Sequence, residues 1–518
     1  MVEATRTQAT SSKRLHYSNP EKRLTHCRDL NNSFAFESKY IQNPFLKKDS
    51  FEHARMHQEE NLNHVFVNRT LNFRRLKAVG FDMDHTLIRY NSHAFEELTF
   101  QFIRDILITR LGYPEEVAST KFKYDLAIRG LVIDQKNGAL LKLDRFNQIY
   151  MSCQGTRIIP FKEQRLNYSD RMVDLSDPRF LSIDTTFSIS VASMYMQLVD
   201  LKCSGLELPE YDQMAQDTLR AVDLAHGEGP LKDFVSENLT RFIQKDPEVV
   251  RGLERLKKHG KFLFIITNSD YEYAKALLDF AINPFLENHA HWSELFNLVL
   301  VGAQKPRFFQ DSLRLLKVDP HNGSLSNHFG PLTEGLFQGG SAERFETSFG
   351  FSPQDILYMG DHIYGDILRL KKDCGWRTGL VLEELSQEIE SLKQTQEQQA
   401  DIDHWMKKKL PLERRIQELE SQQIEGSHHG HSDEISLLFK EMKVIDQKLS
   451  QLIQATSKFY NPTWGPIMRS GNMESYYANQ VVRFADLYMD RLSALMTSSP
   501  RAYFRASRID LPHEDSDL

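Results

Sequence analysis

Two aspartates stand one residue apart in the stretch FDMDHTL (81–87), directly after an apolar run that predicts a buried strand. Neighbouring carboxylates can divide the work of nucleophile and general acid or base. We therefore take Asp82 as the candidate nucleophile, which would attack phosphorus to give an aspartyl-phosphate. Asp84 would protonate the leaving oxygen and then deprotonate the attacking water. Acidic pairs also cap helices and solvate loops, so the pair alone is weak evidence.

Polar residues also follow three further apolar runs. They are Thr267, Asn268 and Ser269 in ITNSD, Lys305 in GAQKP, and Asp361 and Asp366 in GDHIYGD. Reactive groups gather at the carboxyl ends of strands in open α/β sheets, so we expect these residues to converge. Each group has a plain structural alternative: a helix N-cap, an exposed loop lysine, or a turn before a capped helix. Four such groups at four strand ends, in one order, favour a single site.

The predicted site holds more negative than positive charge. Like charges about 4 Å apart cost on the order of 4 kcal/mol at an effective dielectric of 20, so a cation must offset them. All-oxygen ligands select a hard divalent ion, and a site with few protein ligands favours Mg²⁺. Lys305 supplies the second positive charge. Thr267, Asn268, Ser269 and Lys305 would hold the phosphoryl oxygens during transfer.

The elements that must position these residues follow from apolar runs. Strands are predicted at LKAVGFDM (76–83), KFLFIIT (261–267), LFNLVLVG (295–302), DILYMGD (355–361) and WRTGLVL (376–382). Helices are predicted between them, at YEYAKALLDFA (271–281) and QDSLRLLKV (310–318). The alternation indicates an α/β fold with a doubly wound, Rossmann-like parallel sheet.

The spacing of these runs predicts the domain organisation. About 175 residues separate the first two strands, too many for one crossover, so a cap domain must be inserted there. Between residues 383 and 458 the chain is rich in Gln and Glu, and its apolar residues are spaced along one helical face, which predicts a helical insertion. The predicted units are a polar N-terminal arm (1–55), the first core segment (56–112), the cap (113–234), the second core segment (235–382), the helical insertion (383–458) and a C-terminal core segment (459–518). Within the insertion, the Gly and Ser residues around His428, His429 and His431 favour a loop over a metal site.

The totals exclude several classes of protein. The chain has 518 residues, 40% of them hydrophobic, and 64 basic against 71 acidic residues give a net charge of −7. This balance offers no global attraction to nucleic acid. Four cysteines without metal-ligand spacing, no signal-peptide core and no run near the ~18 apolar residues of a membrane span favour a cytoplasmic protein.

Taken in order, FDMDHTL, ITNSD, the Lys305 segment and GDHIYGD resemble the four motifs of the haloacid dehalogenase superfamily of phosphohydrolases. The resemblance implies a core of that type with an α+β cap. It also implies a nucleophile at Asp82 and an acid/base at Asp84. Mg²⁺ would be held by the Asp82 carboxylate, the Asp84 main-chain carbonyl and Asp361, with Asp366 behind these ligands.

From about Val65 to Glu514 the chain further resembles the cytosolic purine 5′-nucleotidases that prefer inosine and guanosine monophosphate. The resemblance lies in VFVNRTL (65–71), RGLVIDQKNGALLKLD (129–144), TNSDYEY (267–273), GDHIYGDIL (360–368) and MRSGNMESYYANQVVRFADLY (468–488). It implies hydrolysis of purine nucleoside monophosphates, phosphotransfer as a side activity, and a homotetramer.

The same resemblance implies two further groups of binding residues. Nucleoside contacts would come from the cap, through Phe187, Asp223, His226 and Lys232. A nucleotide effector, such as a nucleoside triphosphate, would bind near Tyr364, Lys372, Gln480, Arg483 and Phe484. The family has an arginine four residues before the Asp223 position, where this chain has Leu219. The structural alternatives are a surface pair for Asp223 and His226, a core residue for Phe187, and an ordinary packed helix at the effector positions.

The expected function is therefore a Mg²⁺-dependent 5′-nucleotidase for purine nucleoside monophosphates. Two alternatives stay open at this point. One is a phosphatase of the same chemistry acting on a non-nucleotide phosphoester. The other is a nucleotide-binding regulator without turnover, although Asp82, Asp84 and Lys305 are all present.

Overall fold

A computed structural model describes residues 64–168, 172–183, 187–227, 229–426 and 432–508. The predicted N-terminal arm and the three histidines at 428, 429 and 431 lie outside these residues. The strands are β1 (Val65–Val67), β2 (Leu71–Asn72), β3 (Ala78–Phe81), β4 (Arg89–Tyr90), β5 (Leu131–Asp134), β6 (Ala139–Leu143), β7 (Ile149–Gln154), β8 (Arg157–Ile158), β9 (Phe180–Ile183), β10 (Ile243–Gln244), β11 (Phe262–Ile266), β12 (Leu298–Val301), β13 (Leu315–Val318), β14 (Leu325–Asn327), β15 (Gly335–Gly339), β16 (Ile356–Gly360), β17 (Arg377–Val381), β18 (Arg469–Ser470), β19 (Met473–Glu474), β20 (Leu487–Met489) and β21 (Tyr503–Phe504).

The helices alternate with these strands along the chain. They are α1 (Ser92–Thr109), α2 (Phe161–Asn167), α3 (Ser188–Cys203), α4 (Tyr211–Gly227), α5 (Pro230–Glu237), α6 (Leu239–Phe242), α7 (Pro247–Lys258), α8 (Tyr271–Ala281), α9 (Trp292–Leu295), α10 (Ala342–Phe349), α11 (Leu385–Gln394), α12 (Gln396–Glu425), α13 (Ser432–Ser457), α14 (Tyr476–Phe484) and α15 (Leu492–Met496). Two π-helical segments, Ile363–Leu368 and Leu370–Cys374, follow β16.

The core is a ten-stranded sheet in the order β1-β20-β17-β16-β3-β11-β12-β15-β13-β14. Neighbours from β20 to β15 run parallel, whereas β1, β13 and β14 are antiparallel to their partners. Alternate residues of the central strands enter two different hydrophobic clusters, one on each face. A parallel sheet must be covered on both faces because its strands are apolar throughout. The predicted doubly wound α/β core is confirmed.

The strand that carries the candidate nucleophile lies in the middle of this sheet. β3 pairs with β16 on one side and β11 on the other, and all four of its residues are buried. Gly80 is needed there because the Phe264 ring of β11 covers it, and a Cβ at Gly80 would lie 2.2 Å from that ring. Asp82 continues the pairing, since its amide donates to Met359 O at 2.8 Å. The residue after β3 is therefore placed by two neighbouring strands.

Most of the predicted elements are found. All five predicted strands occur within the predicted runs, as β3, β11, β12, β16 and β17, and the helix predicted at 271–281 is α8 with those bounds. Asp270 caps α8 by accepting a hydrogen bond from Tyr273 N. This short helix covers one face of the sheet between β11 and β12.

The helix predicted at QDSLRLLKV (310–318) is wrong. Residues 315–318 form β13, which pairs antiparallel with β15 and β14. Leu315 and Val318 are buried, and their spacing would also suit one face of a helix, but pairing with β15 determines the backbone conformation. Gly339 of β15 has φ +78° and lets Arg314 O approach to 2.3 Å of the place where a Cβ would be. Strand pairing at the sheet edge thus overrides a weak helical pattern in a short run.

An inserted cap follows the first core strand. Its five-stranded antiparallel sheet has the order β8-β7-β6-β5-β9. Helices α3 and α4 bury their apolar residues against it, together with α1, in one hydrophobic cluster that includes Phe100, Ile133, Met194 and Ala221. The α+β cap of the predicted fold class is confirmed, whereas the numerical domain boundaries stay predictions.

The helical insertion is a hairpin of α12 and α13. Ile416, Leu419, Ile445 and Leu449 are its buried residues. Lys409 lies 2.7 Å from Asp446, and Arg415 lies 2.9 Å from Glu434, which sets the two helices antiparallel. The buried residues are three or four positions apart in each helix, so they lie on the face that packs against the other helix.

The described residues contain no helix that combines the length and apolarity of a membrane span. Cys153, Cys203 and Cys374, the cysteines within the described residues, form no disulfide.

We expect Gly80→Ala to destabilise the core, because the added methyl must displace the Phe264 ring. Overpacking of this kind costs about 1–3 kcal/mol. Thermal or denaturant unfolding of the purified variant measures the change. Gly227→Ala is the matched control, because no heavy atom lies within 4 Å of its added Cβ. Equal stability of Gly80→Ala and wild type would contradict the described packing.

We expect a pH-dependent loss of stability at Glu96. Burial raises the pKa of this carboxyl from 4.5 to about 7, although hydrogen bonds from Ser190 and the charge of Arg129 lower it. The folded state therefore holds the proton more tightly than the unfolded state, so stability falls as pH rises from about 4.5 to 7. Glu96→Gln should remove this slope, and its advantage over wild type should grow by on the order of 3 kcal/mol across that window. Denaturant unfolding at pH 5 and pH 8 measures it, and parallel pH profiles would contradict it.

Candidate active site

The carboxyl ends of β3, β11, β12 and β16 open into one cavity of about 590 Å³. Every residue predicted for catalysis, metal binding and phosphate binding lines it. These are Asp82, Asp84, Thr267, Asn268, Ser269, Lys305, Asp361 and Asp366. The predicted nucleoside-binding residues Phe187, Asp223, His226 and Lys232 line the same cavity. The fold therefore brings the two predicted groups together in one space.

Three carboxylates crowd the end of the central strands. Oxygens of Asp82, Asp361 and Asp366 all lie within 4.8 Å of one another. Burial raises the pKa of Asp82 well above its usual range. Lys305 opposes this effect, whereas the carboxylates of Asp366, Asp361 and Asp84 add to it. A hard divalent cation would relieve this repulsion and keep Asp82 ionised. The donor set fits Mg²⁺, with the Asp82 and Asp361 carboxylates as the predicted side-chain ligands.

Lys305 reaches into the carboxylate cluster from the segment after β12. Its Nζ lies 2.8 Å from Asp82 Oδ1 and 2.6 Å from Asp366 Oδ1. Burial alone would lower the pKa of Lys305, but Asp366, Asp82 and Tyr358 outweigh it, and the net pKa is raised. The side chain thus stays an ammonium and is anchored between the nucleophile and Asp366.

Two residues hold Lys305 in this position. Tyr358, in β16, accepts a hydrogen bond from Lys305 Nζ at 3.2 Å and donates to Ile266 O at 2.8 Å. Asn268 accepts from Lys305 N at 2.6 Å and donates to Lys305 O at 3.1 Å. The Asn268 side chain therefore braces the lysine segment. The predicted contact between Asn268 and phosphate stays a prediction.

Hydroxyl groups occupy both oxygens of Asp84. Tyr90 OH donates to Asp84 Oδ1 at 2.6 Å, and Ser269 Oγ donates to Asp84 Oδ2 at 2.7 Å. Tyr90 OH also lies 2.8 Å from Tyr273 OH. Ser269, predicted as a phosphate ligand, is thus placed to orient the candidate acid/base. Thr267 is buried beside it, and its Oγ1 accepts from Ser269 N at 3.1 Å.

Tyr90, Tyr273 and Tyr358 were not identified from the sequence. Each lies in or next to a quoted motif run, where an aromatic residue normally indicates core packing. A tyrosine hydroxyl directed at the polar ends of the strands is a product of tertiary packing. Their proximity to the motifs, eight residues after Asp82 and four after Ser269, was the available signal.

The cap side of the cavity carries an aromatic pair. The rings of Phe187 and His226 have centroids 4.0 Å apart and are tilted by 38°. Burial, with the charge of Lys232, lowers the pKa of His226 to about 3, so the imidazole is neutral near pH 7. Among the described residues, His226 Nε2 has no hydrogen-bond partner although it is buried. A planar ring and an uncommitted imidazole nitrogen can receive the base of a ligand.

The remaining cap residues place charge near the cavity. Partial desolvation of the Asp223 carboxyl on α4 raises its pKa. Lys232 Nζ lies 3.6 Å from Asp270 Oδ2 and 5.4 Å from the Tyr273 ring. Leu219, where the resemblance described above would place an arginine, also lines the cavity.

The predicted effector residues fall into two places. The side-chain charges of Lys372 and Arg483 both lie 5.3 Å from the centre of the Phe484 ring. Gln480 is buried on α14, the helix that carries Arg483 and Phe484. Tyr364 instead contacts Arg369 through its hydroxyl and lines the active-site cavity.

Known proteins similar in sequence indicate the family of this chain. The family model for the 5' nucleotidase family matches residues 65–516. The 5'-nucleotidase domain-containing protein 2 of Rattus norvegicus is 27% identical over 475 residues, which cover 87% of this chain and 80% of the rat protein. The human protein of the same name is 28% identical over 468 residues, with coverage of 87% and 85%.

Two solved structures are also similar. A predicted phosphoglycolate phosphatase from Haemophilus somnus 129PT has a TM-score of 0.25 and 16% identity, with 59% of this chain and 85% of that chain covered. An archaeal β-phosphoglucomutase from Pyrococcus sp. strain ST 04 has a TM-score of 0.26 and 11% identity, with coverage of 59% and 86%. TM-scores this low carry no argument about fold or function.

We expect Tyr90→Phe to slow turnover, because Asp84 Oδ1 loses the donor that orients it. A hydrogen bond to a charged group contributes about 1.5–3 kcal/mol, which corresponds to a fall in kcat of roughly 10- to 100-fold. Tyr273→Phe is the matched control, since Tyr273 touches Tyr90 and makes no hydrogen bond to Asp84 among the described contacts. Steady-state kinetics of both variants measures the difference. Equal losses in the two variants would contradict a specific role for Tyr90.

Proposed function

This chain belongs to the 5' nucleotidase family and is a 5'-nucleotidase, and we propose that it is a Mg²⁺-dependent enzyme that hydrolyses purine nucleoside 5′-monophosphates. The preferred substrates in this proposal are inosine and guanosine monophosphate, and the phosphoryl group passes through Asp82. The observation that carries the proposal is the contact of 2.8 Å between Lys305 Nζ and Asp82 Oδ1, in a cavity that also holds Phe187 and His226.

The proposed reaction has two displacements at phosphorus. An Asp82 carboxylate oxygen attacks phosphorus, the bond to the nucleoside O5′ breaks, and Asp84 gives its proton to that oxygen. Water then attacks the aspartyl-phosphate, gives a proton to Asp84, and releases inorganic phosphate and the Asp82 carboxylate. A nucleoside hydroxyl in place of water would give the proposed phosphotransfer.

The residues around Asp82 support this chemistry. Lys305 would neutralise charge on the transferring group, and Thr267, Asn268 and Ser269 line the same cavity. Mg²⁺ held by Asp82 and Asp361, with the Asp84 carbonyl, would supply further charge neutralisation. Asp366 supports the cluster by pairing with Lys305 and accepting a hydrogen bond from His362 N.

Purine preference is supported by the cap wall of the cavity. Phe187 offers a ring face, and the neutral His226 offers Nε2 to a base edge. Asp223 would accept from the ribose hydroxyls, and Lys232 would contact the ribose or phosphate. Enclosure of a nucleotide is consistent with a cavity of about 590 Å³, which is in the range of small-molecule sites.

Three further expectations belong to the proposal. A nucleoside triphosphate effector would bind where Lys372 and Arg483 flank the Phe484 ring, through phosphate contacts and stacking. The chain would assemble as a homotetramer. It would act in the cytoplasm, which agrees with the free thiols of Cys153, Cys203 and Cys374, the cysteines that the structure describes.

We expect phosphate release from inosine and guanosine monophosphate with Mg²⁺, and at least a thousandfold loss, on the order of that for other covalent catalysts, in Asp82→Asn. A colorimetric phosphate assay with purine and pyrimidine monophosphates, ribose 5-phosphate and 4-nitrophenyl phosphate measures it. Asp223→Ala should reduce kcat/KM for inosine monophosphate by roughly tenfold or more. Asp212→Ala, exposed in the first turn of the same helix, should leave it unchanged.

The assay separates the competing functions. Equal turnover of 4-nitrophenyl phosphate and nucleotides, with no effect of Asp223→Ala, would assign a phosphatase for non-nucleotide esters. Tight nucleotide binding without phosphate release by wild type would assign a regulator.

A further inference from the structure

Arg129 crosses from the cap to the core at the edge of the active site. It lies two residues before β5, and its side chain is only 6% exposed. Nη1 donates to the main-chain oxygen of Asp361 at 3.1 Å, and Nε donates to Glu384 Oε1 at 3.0 Å. One guanidinium thus joins the cap, the residue that follows β16, and the segment that follows β17. Neither Arg129 nor Glu384 has a part in the reaction described above.

The local backbone leaves Arg129 little freedom. Gly130 has φ +84°, and a Cβ there would lie 2.5 Å from Tyr477 Cβ in α14, so the chain passes close against the core. Burial alone would lower the pKa of Arg129, but Glu384, Tyr477 and Asp361 more than reverse this effect. The guanidinium therefore stays charged and can donate to both of its partners.

The bond to Asp361 acts on the turn that presents a carboxylate to the site. Asp361 directly follows β16, and its carboxylate lies within 4.8 Å of those of Asp82 and Asp366. The next residue, His362, caps the π-helical segment by accepting from Gly365 N at 2.9 Å. A donor fixed on the Asp361 carbonyl restricts rotation of the peptide at the start of this turn. Restricted rotation there limits where the carboxylate can point.

We propose that Arg129 is a positioning residue for the divalent-cation site, which holds the turn at Asp361 in the cation-binding geometry and ties that turn to the cap. Glu384 in turn orients the guanidinium. The inference rests on the proposed function, since it requires a cation at Asp82 and Asp361.

Two effects of Arg129 on cation affinity have opposite signs. Its positive charge opposes a cation near Asp361, whereas its hydrogen bond preorganises a ligand. Glu384 lies 3.0 Å from the guanidinium and makes the pair neutral, so its residual field at the site is small. The positioning effect of Arg129 should therefore exceed its electrostatic effect. Loss of its charged hydrogen bond should weaken cation binding on the order of tenfold.

The test measures Mn²⁺ binding to the full-length protein by electron paramagnetic resonance of the free ion, with displacement by Mg²⁺. We expect Arg129→Gln to raise the Kd for Mn²⁺ about tenfold, with partial recovery in Arg129→Lys. The double variant Arg129→Gln/Glu384→Gln also removes the carboxylate that is left unpaired in Arg129→Gln, so it should bind Mn²⁺ at least as weakly as Arg129→Gln alone.

Arg179→Gln is the matched control. Arg179 forms a comparable ion pair with the buried Asp134 in the cap sheet, at 2.7 Å. Its loss should lower the melting temperature without changing the Kd for Mn²⁺. Thermal unfolding of every variant shows that it is folded.

Each outcome decides the inference. Unchanged or tighter Mn²⁺ binding in folded Arg129→Gln would overturn it and leave the proposed function intact. An equal loss in Arg179→Gln would reduce the effect to general destabilisation and overturn it as well. Failure of wild type to bind Mn²⁺ would overturn both the inference and the metal requirement of the proposed function.

Discussion

The active site is organised around a surplus of negative charge. Asp82, Asp361 and Asp366 share a space less than 5 Å across, and one ammonium, Lys305, lies between two of them. Burial raises the free energy of each ionised carboxylate that lacks a positive partner, so a bound cation would stabilise the cluster. In the proposed function, the same charge that would destabilise an empty site provides the affinity for Mg²⁺. Lys305 pairs with Asp82 and Asp366, and in the proposed reaction it would also neutralise charge on the phosphoryl group.

The sheet is built so that this cluster forms at one edge. β3 pairs with β11 on one side and with β16 on the other. Gly80 of β3 packs closely against the Phe264 ring of β11, which favours the observed register of these two strands. Around the cluster, side chains that do not react hold those that do. Tyr358 and Asn268 brace Lys305, while Tyr90 and Ser269 occupy the two oxygens of Asp84. Preorganisation of this kind reduces the reorganisation that transfer of the phosphoryl group requires.

The sequence predicted five strands of the core sheet and the polar residues that follow four of them, because these residues stand at or shortly after the ends of apolar runs. It failed at 315–318, where pairing with a glycine-containing strand at the sheet edge decides the structure. It also missed the three tyrosines, because the direction of a hydroxyl depends on packing between distant segments. Asn268 shows the same limit: its place after β11 was predicted, but the pairing of its amide with the Lys305 backbone was not. Arg129 stood in a quoted run, and only the fold shows that it meets Asp361.

Two of the contacts between the cap and the core bear directly on the site. One is the cavity itself, where Phe187 and His226 face the carboxylates across the substrate space. The other is the bond from Arg129 to the turn at Asp361. The residues proposed for substrate recognition and those proposed for cation binding thus lie on adjoining segments.

The most direct measurement of the central claim is to trap the phosphorylated enzyme during turnover of inosine monophosphate with Mg²⁺. Borohydride reduces an aspartyl-phosphate to homoserine, and mass spectrometry of peptides locates the reduced residue. We expect homoserine at position 82, formed only when substrate is present. Reduction at another carboxylate, or turnover with an unmodified Asp82, would contradict it.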